Sequence, residues 1–209
     1  MRYLTFALAK GRLANKTMDM FEKLGITCDS IRDKETRKLI FVNEDLKLKF
    51  FLAKASDVPT YVEYGAADIG IVGEDTILEE GRNLYEVMDL GFGKCRFALA
   101  TKKGTDFYSG YGVKCIATKY PNIARRFFES KGMDVDIVKI EGSVELAPLL
   151  ELSDGIVDIV ETGVTLKENG LEVVEEIVPI SARLIANVVS LKMRQQEIES
   201  LIQKIEEVL

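Results

Sequence analysis

Histidine is absent from all 209 residues. That excludes an imidazole general base, a Ser-His triad and a His-ligated metal together. Any catalysis has to use carboxylates, lysine, arginine, backbone dipoles or a bound cation. No run of about 18 apolar residues occurs, so the sequence offers no membrane-spanning helix. The N-terminus carries only about six apolar residues before Lys10 and no small-residue cleavage site, unlike a signal peptide. The three cysteines, Cys28, Cys95 and Cys115, are odd in number and widely spaced. They read as reduced thiols packed as small hydrophobes in a cytoplasm, not as disulfides or a zinc site. Basic excess is missing as well: the net charge of −6 argues against a generic nucleic-acid binder, though not against a local basic pocket.

Strands and helices alternate along the chain. Tyr3 to Leu8 reads as a buried strand, followed by a helix from Leu13 to Leu24 that Gly25 stops. Lys38 to Val42 and Leu46 to Leu52 form a strand pair. Ser56-Asp57-Val58-Pro59 looks like a capped helix start, and Asp68 to Val72 is a short apolar strand leading through Gly73-Glu74-Asp75 into a helix. Leu84 to Leu90 and Cys95 to Thr101 are strands around a glycine turn. The pattern then restarts: strand Val113 to Ala117, helix Tyr120 to Lys131, strand Asp136 to Ile140, helix Val144 to Leu152, strand Ile156 to Val160. Glu175 to Val189 reads as mostly extended. Ile198, Leu201, Ile202, Ile205 and Val208 form one stripe of a C-terminal amphipathic helix.

This alternation implies α/β architecture with largely parallel sheets covered on both faces. Its break near residues 91–104 divides the chain into two lobes, residues 1–90 plus 181–209 and residues 91–180, with a ligand cleft expected between them.

Four segments carry the chemistry. Asp154 to Leu166, DGIVDIVETGVTL, is a strand that empties into Glu161-Thr162-Gly163-Val164-Thr165 and a short helix. Such a turn aims backbone N–H groups and hydroxyls at one point, which suits a phosphate; the same turn also suits simple helix capping. Asp154, Asp158 and Glu161 flank it, and acids beside a phosphate cradle make sense when the ligand also carries hydroxyls or a divalent cation. A phosphorylated sugar with Mg fits both halves. Glu141-Gly142-Ser143-Val144-Glu145 is a second strand-to-helix turn, with Glu141 placed to accept from vicinal sugar hydroxyls; alone, it reads rather as a helix cap. Two such turns at the carboxyl ends of neighbouring strands lie where open α/β sheets bind ligands. Lys10-Gly11-Arg12 sets two cations at the end of the first strand, suited to a polyphosphate. Gly70 and Gly73, in DIGIVGED at 68–75, leave room for a flat ring or for a tight turn.

Together these segments resemble the catalytic subunit of ATP phosphoribosyltransferase in its short form. The resemblance rests on AKGR at 9–12, DVPTYVEYGAADIGIVGED at 57–75, YPNIARRFF at 120–128, EGSVELAP at 141–148 and DGIVDIVETGVTL at 154–166, all in the family's order. It implies a two-lobed fold like the type II periplasmic binding proteins. It implies transfer of the phosphoribosyl group of 5-phosphoribosyl 1-pyrophosphate to ring nitrogen 1 of ATP, the first step of histidine biosynthesis. Partners implied are a regulatory subunit resembling histidyl-tRNA synthetase and a homodimer within a hetero-oligomer, with no nucleic acid and no membrane. Glu141, Asp158 and Lys10 are the catalytic candidates. Glu141, Gly142, Ser143, Asp154, Asp158, Glu161, Thr162, Gly163, Val164 and Thr165 would hold the phosphoribosyl donor. Lys10, Gly11, Arg12, Lys54, Gly73, Glu74 and Asp75 would hold ATP. Mg would arrive with the substrate and meet Asp154 or Asp158. Two departures from the family pattern stand out: Lys54 where arginine is common, which keeps the charge but not the bidentate fork, and Glu161 where serine is common. Two other readings share the architecture: a non-catalytic two-lobed module binding small anions, and another cleft enzyme such as a tetrapyrrole-forming deaminase.

Overall fold

The computed structural model describes residues 2–33 and 36–209. In chain order the elements are β1 (Leu4–Ala9), α1 (Arg12–Lys23), β2 (Ile40–Asn43), β3 (Leu48–Ala53), α2 (Val58–Glu63), β4 (Ile69–Gly73), α3 (Glu74–Glu80), β5 (Tyr85–Asp89) and β6 (Cys95–Lys102). They continue with β7 (Lys114–Thr118), α4 (Pro121–Ser130), β8 (Val135–Lys139), α5 (Leu146–Leu149), β9 (Gly155–Val160), α6 (Val164–Glu168), β10 (Leu171–Ile180), β11 (Ala182–Ala186), α7 (Val188–Met193) and α8 (Gln195–Glu206). Two units pack separately: the chain up to Gly93 with Ser181–Leu209, and Lys94–Ile180. The first boundary falls at Gly93 and not at residue 90, because the Leu90 N–H donates to the Ala182 carbonyl and the Ala182 N–H donates to the Phe92 carbonyl, both at 2.9 Å.

The first unit holds a six-stranded sheet in the order β2-β3-β1-β4-β11-β5, the second a five-stranded sheet in the order β10-β6-β9-β7-β8. The sheets are mixed, which corrects the largely parallel arrangement expected from sequence. Among the described residues, only β1 with β3 and β4, and β7 with β8 and β9, pair in parallel. The other five pairings are antiparallel. The second trio is a βαβαβ run, and in the first β2 stands between α1 and β3. Of the strands that carry the chain between units, β6 and β11 run against their trios, while β5 and β10, each antiparallel to one of these, run with them.

Alternation along β1 sorts its side chains to two faces. Phe6 and Leu8 meet α1 and α8 in a core where the Phe6 ring stacks on Phe50 at 5.1 Å and meets the Phe21 ring edge-on at 5.5 Å. Ala7 and Ala9 face α2, where small side chains let the helix sit close. At Gly70 a Cβ would come within 2.7–3.0 Å of Val62, Val58 and Ile185. That glycine therefore serves helix packing and not the approach of a flat ligand ring. The C-terminal stripe buries Ile198, Leu201 and Ile205 in this same core. Burial of each such side chain contributes roughly 1.5–3 kcal/mol. Arg194 and Asp68 hold the two chain ends of this unit together. Asp68, 1% exposed, accepts from the Thr5 N–H, the Ser190 hydroxyl and Arg194, which also donates to the Tyr3 and Arg2 carbonyls.

In the second unit β6, β7 and β9 supply Ala98, Ala100, Ala117, Ile156 and Val160 to one core, closed by Val144, Ala147 and Leu166. Two expectations fail here and nearby. The helix read over 144–152 spans only Leu146–Leu149. Pro148 lacks a donor and disfavours helical geometry before it, and Glu151 turns left-handed at φ 60°. Extended structure ends at Ala186 and not Val189. Asn187 caps α7 by accepting from the Val189 and Ser190 N–H groups at 3.0 and 2.9 Å. The start of α2 has no side-chain cap; a 3-10 turn at Ala55–Asp57 leads into it instead. Among the described residues, no helix is long and apolar enough to cross a membrane.

Candidate active site

Each parallel trio has a point where loops leaving neighbouring strands diverge. In the first unit the chain leaves β1 toward β3 and leaves β4 toward β5, on the opposite side. In the second it leaves β7 toward β8 and leaves β9 toward β10. A crevice at the strands' carboxyl ends follows from that divergence and is where ligands settle in open α/β sheets.

In the first unit this edge brings together Lys10-Gly11-Arg12 after β1, Lys54 after β3 and Gly73-Glu74-Asp75 after β4. The Lys10 N–H donates to the Ala53 carbonyl at 2.8 Å, which fixes the two strand ends side by side. Gly11 has φ 101° and ψ −142°, a conformation that only glycine adopts readily. Lys10, Arg12 and Lys54 are exposed cations at adjacent strand ends. The β4 side differs from expectation. The Asp75 carboxylate folds back over Gly73, where a Cβ would otherwise sit, so a ring reaching Gly73 has to displace it. Glu74 is engaged by Arg183 of β11 at 2.6 Å, and its N–H donates to the Ser181 carbonyl. Arg183 also meets Glu86 and Asp89 at 3.4 and 3.3 Å. Its sequence context, a plain strand, gave no sign of that role.

In the second unit the carboxyl edge collects Thr118 at the end of β7 with Lys119 after it, Glu141-Gly142-Ser143 after β8 and Glu161–Thr165 after β9. Gly163 sits at φ 78°, in the left-handed region that lets the turn close before α6. The Val164 N–H approaches the Thr162 hydroxyl at 3.4 Å. No hydrogen bond from the N–H of Thr162 or Gly163 is found among the described residues. Glu141 is exposed and ion-paired with Lys139 at 2.9 Å. Ser143 caps nothing with its hydroxyl; its carbonyl accepts from the Leu146 N–H. A Cβ at Gly142 would meet nothing within 4 Å, so the protein itself does not demand glycine there.

Asp158 lies on β9, next to the strand whose Thr118 hydroxyl donates to the Val157 carbonyl. Burial pushes its carboxyl up to about 6, against a hydrogen bond from the Ile159 N–H; the Glu145 charge adds to the rise, and Lys119 opposes it. Asp158, Glu145 and Lys119 thus form one electrostatic cluster at this edge. Lys119 was missed in the sequence, where a single lysine after a strand carries no signal.

Asp154 does not join this group. It stands at the amino end of β9, a strand of six residues. At about 3.3 Å per residue, roughly 20 Å of strand separates it from the Thr/Gly turn. Its carboxylate accepts from the Cys115 N–H at 2.7 Å and its carbonyl from the Thr101 hydroxyl. A cavity of about 290 Å³ bordered by Thr101, Cys115, Ser153 and Asp154 opens at that amino edge, at the opposite end of β9 from the Thr/Gly turn. The expected placement of Asp154 beside the turn fails because the two ends of one strand cannot flank one loop. Among the described residues no cluster of three or more acids or cysteines forms a metal site.

Residues 54–207 match the family model for HisG, ATP phosphoribosyltransferase. The chain belongs to this family. It is 59% identical to an ATP phosphoribosyltransferase of Lachnoclostridium phytofermentans over 100% of this chain and 98% of that protein, and 55% identical to one of Clostridium novyi over 100% and 99%. Among solved structures it is similar to the ATP phosphoribosyl transferase (HisG:HisZ) complex from Thermotoga maritima, at 40% identity, 98% coverage of both chains and a TM-score of 0.85. The periplasmic aliphatic sulphonate binding protein SsuA of Escherichia coli, at 10% identity, covers all of this chain and 72% of that one with a TM-score of 0.63. That likeness shows the fold alone: the two-lobed α/β class of type II periplasmic binding proteins.

Proposed function

We propose that this chain transfers the phosphoribosyl group of 5-phosphoribosyl 1-pyrophosphate to ring nitrogen 1 of ATP, releasing pyrophosphate, as the first step of histidine biosynthesis. The observation that carries this reading is identity of 55–59% to ATP phosphoribosyltransferases along essentially the whole chain. Ring nitrogen 1 of adenine is unprotonated at neutral pH, so attack on the anomeric carbon needs no strong base, and the missing histidine is no obstacle. Positive charge gathers on the ribose as the bond to pyrophosphate breaks, and negative charge gathers on the leaving group. Asp158, and Glu141 from the neighbouring turn, favour the first; Lys119 stands beside Asp158 at the same edge. A cation held through the substrate, with Asp158 as the protein carboxylate nearest to it, would supply positive charge to offset the second. Holding two bulky anions in register supplies on the order of 7–11 kcal/mol.

In this reading Thr162, Gly163, Val164 and Thr165 hold the 5-phosphate. Lys10, Gly11, Arg12 and Lys54 face the polyphosphate of ATP, and Asp75 with Gly73 lies toward the base. Mg would enter with the substrate. The similar Thermotoga maritima protein was solved with HisZ; a regulatory subunit of that kind, in a cytoplasmic hetero-oligomer, is the partner proposed here. The test is a Thr162→Val, Thr165→Val double variant assayed for pyrophosphate release. We expect a raised KM for the phosphoribosyl donor and an unchanged KM for ATP. A donor KM equal to that of the unaltered protein overturns the loop assignment.

A further inference from the structure

Arg96 lies beside the Thr/Gly turn, although no motif marks it. On β6 it is registered opposite Val160, the last residue of β9 before the turn, and opposite Pro179 on β10. Its Nη1 is 3.5 Å from the Glu161 carbonyl oxygen. Its Nε is 2.6 Å from a Glu176 carboxylate oxygen, off the line of a straight hydrogen bond. A break in the β10 register between Glu176 and Val178 accompanies that approach. The side chain is 31% exposed. A guanidinium has five N–H donors; these contacts employ Nε and Nη1.

We infer that Arg96 is a positioning residue for the phosphate turn, an inference that rests on the loop assignment above. The peptide joining Glu161 to Thr162 is planar and trans, so its carbonyl and its N–H point in opposite directions. A guanidinium on the carbonyl side turns the Thr162 N–H away from Arg96, toward the open side of the turn. The same cation places positive charge behind the turn, at a strand end where Glu161 would otherwise oppose a phosphate. Glu176 anchors the guanidinium from the far side and supplies no charge that a phosphate favours.

An ordinary sheet-surface ion pair would make Arg96 and Glu176 equivalent, since removing either breaks it. The positioning role makes them unequal. The experiment uses the full chain, with ribose 5-phosphate as the probe in calorimetry and the phosphoribosyl donor and ATP in turnover, the latter in the presence of the regulatory subunit. For Arg96→Gln we expect binding of ribose 5-phosphate and KM for the phosphoribosyl donor to weaken about tenfold or more, with KM for ATP unchanged. Arg96→Lys recovers part of the loss, as charge returns without the planar fork. Glu176→Gln leaves both quantities close to those of the unaltered protein. Equal effects of Arg96→Gln and Glu176→Gln overturn the inference, as does unchanged probe binding in Arg96→Gln when its urea midpoint shows it folded. The Thr162→Val, Thr165→Val variant separates the two levels. If it weakens binding of the probe and Arg96→Gln does not, Arg96 alone is excluded; if neither does, the loop assignment itself is wrong.

Discussion

Replacing Asp158 by asparagine separates what this carboxylate does for the fold from what it does for the reaction. Its carboxyl rises from an ordinary 3.8 to about 6, chiefly through burial. A folded-state value above the unfolded one means that the native protein binds the extra proton between about pH 4 and 6. Stability is then fully present below the unfolded value and is lost as pH rises through about 6. A rise of that size corresponds to about 3 kcal/mol. Partial access of water to this strand end screens some of that, so about 1–2 kcal/mol is the expected net penalty at neutral pH. Asparagine keeps the shape and can still accept the Ile159 N–H, but carries no charge to desolvate. Asp158→Asn is therefore expected to be more stable than the unaltered chain at about pH 8, and by a smaller margin at about pH 4.5. In the reaction proposed above, turnover should nevertheless fall by about a hundredfold, because a preorganised carboxylate next to a developing cation would be lost.

Urea unfolding at the two pH values, followed by circular dichroism, reads the first effect. Subtracting one protein's pH dependence from the other cancels every group except Asp158 and its immediate neighbours. A stability difference that is the same at both pH values would refute the burial reasoning. Unchanged turnover would refute the catalytic role while leaving the electrostatic one intact. In the unaltered protein kcat/KM should fall as pH drops below about 6, where Asp158 becomes neutral.

Three further outcomes follow from the packing. Asp68→Ala leaves the Arg194 guanidinium facing the Thr5 and Ser190 donors without their shared acceptor, and should cost about 3–5 kcal/mol in urea unfolding. Gly70→Ala drives a methyl group into Val62, Val58 and Ile185, and should cost about 1–3 kcal/mol by the same measurement, with KM for ATP preserved in the folded fraction. Asp154→Asn should lower the melting temperature, because the Cys115 N–H faces a weaker acceptor, and leave KM for the phosphoribosyl donor unchanged; a raised donor KM would contradict its placement at the amino end of β9.

The order of strands and helices was legible because each is short, periodic and bounded by glycine or proline, and the carboxyl-edge turns were legible because glycine and hydroxyl residues follow apolar strands. Sheet direction was not. Apolar runs such as Phe97–Ala100 and Leu184–Ala186 read the same whether their neighbours run parallel or antiparallel, since both faces are covered either way. Pro148 was visible but underweighted against the apolar spacing of 144–152. Asn187 was overlooked because the valines that follow it favour strands, although its side chain offers the acceptor that starts a helix. Arg96, Lys119 and Arg183 acquire their meaning only from register: opposite Val160, beside Asp158 and opposite Val72, respectively. Pairing across a sheet is a long-range property, and single side chains on strands carry no local trace of it.

The two carboxyl edges have the same topology but opposite needs, and their residues differ accordingly. At the ends of β1 and β3 the chain sets Lys10, Arg12 and Lys54, cations suited to a polyphosphate. At the end of β4 it sets Glu74 and Asp75, of which Glu74 is already neutralised by Arg183. That leaves the acidic side of this edge less repulsive to a triphosphate than its composition suggests. At the ends of β7 and β9 the chain combines one lysine, a half-buried carboxylate and a Thr/Gly turn. A carboxylate held above its ordinary pKa is costly when ionised, and the cost is relieved when a neighbouring sugar turns cationic. That relief exists in the transition state and not in the bound substrate, which is the condition for an interaction to accelerate a reaction rather than merely tighten binding. A histidine in its place would oppose the same charge whenever protonated. The chemistry inferred here is thus better served by the carboxylate than by the residue this chain lacks.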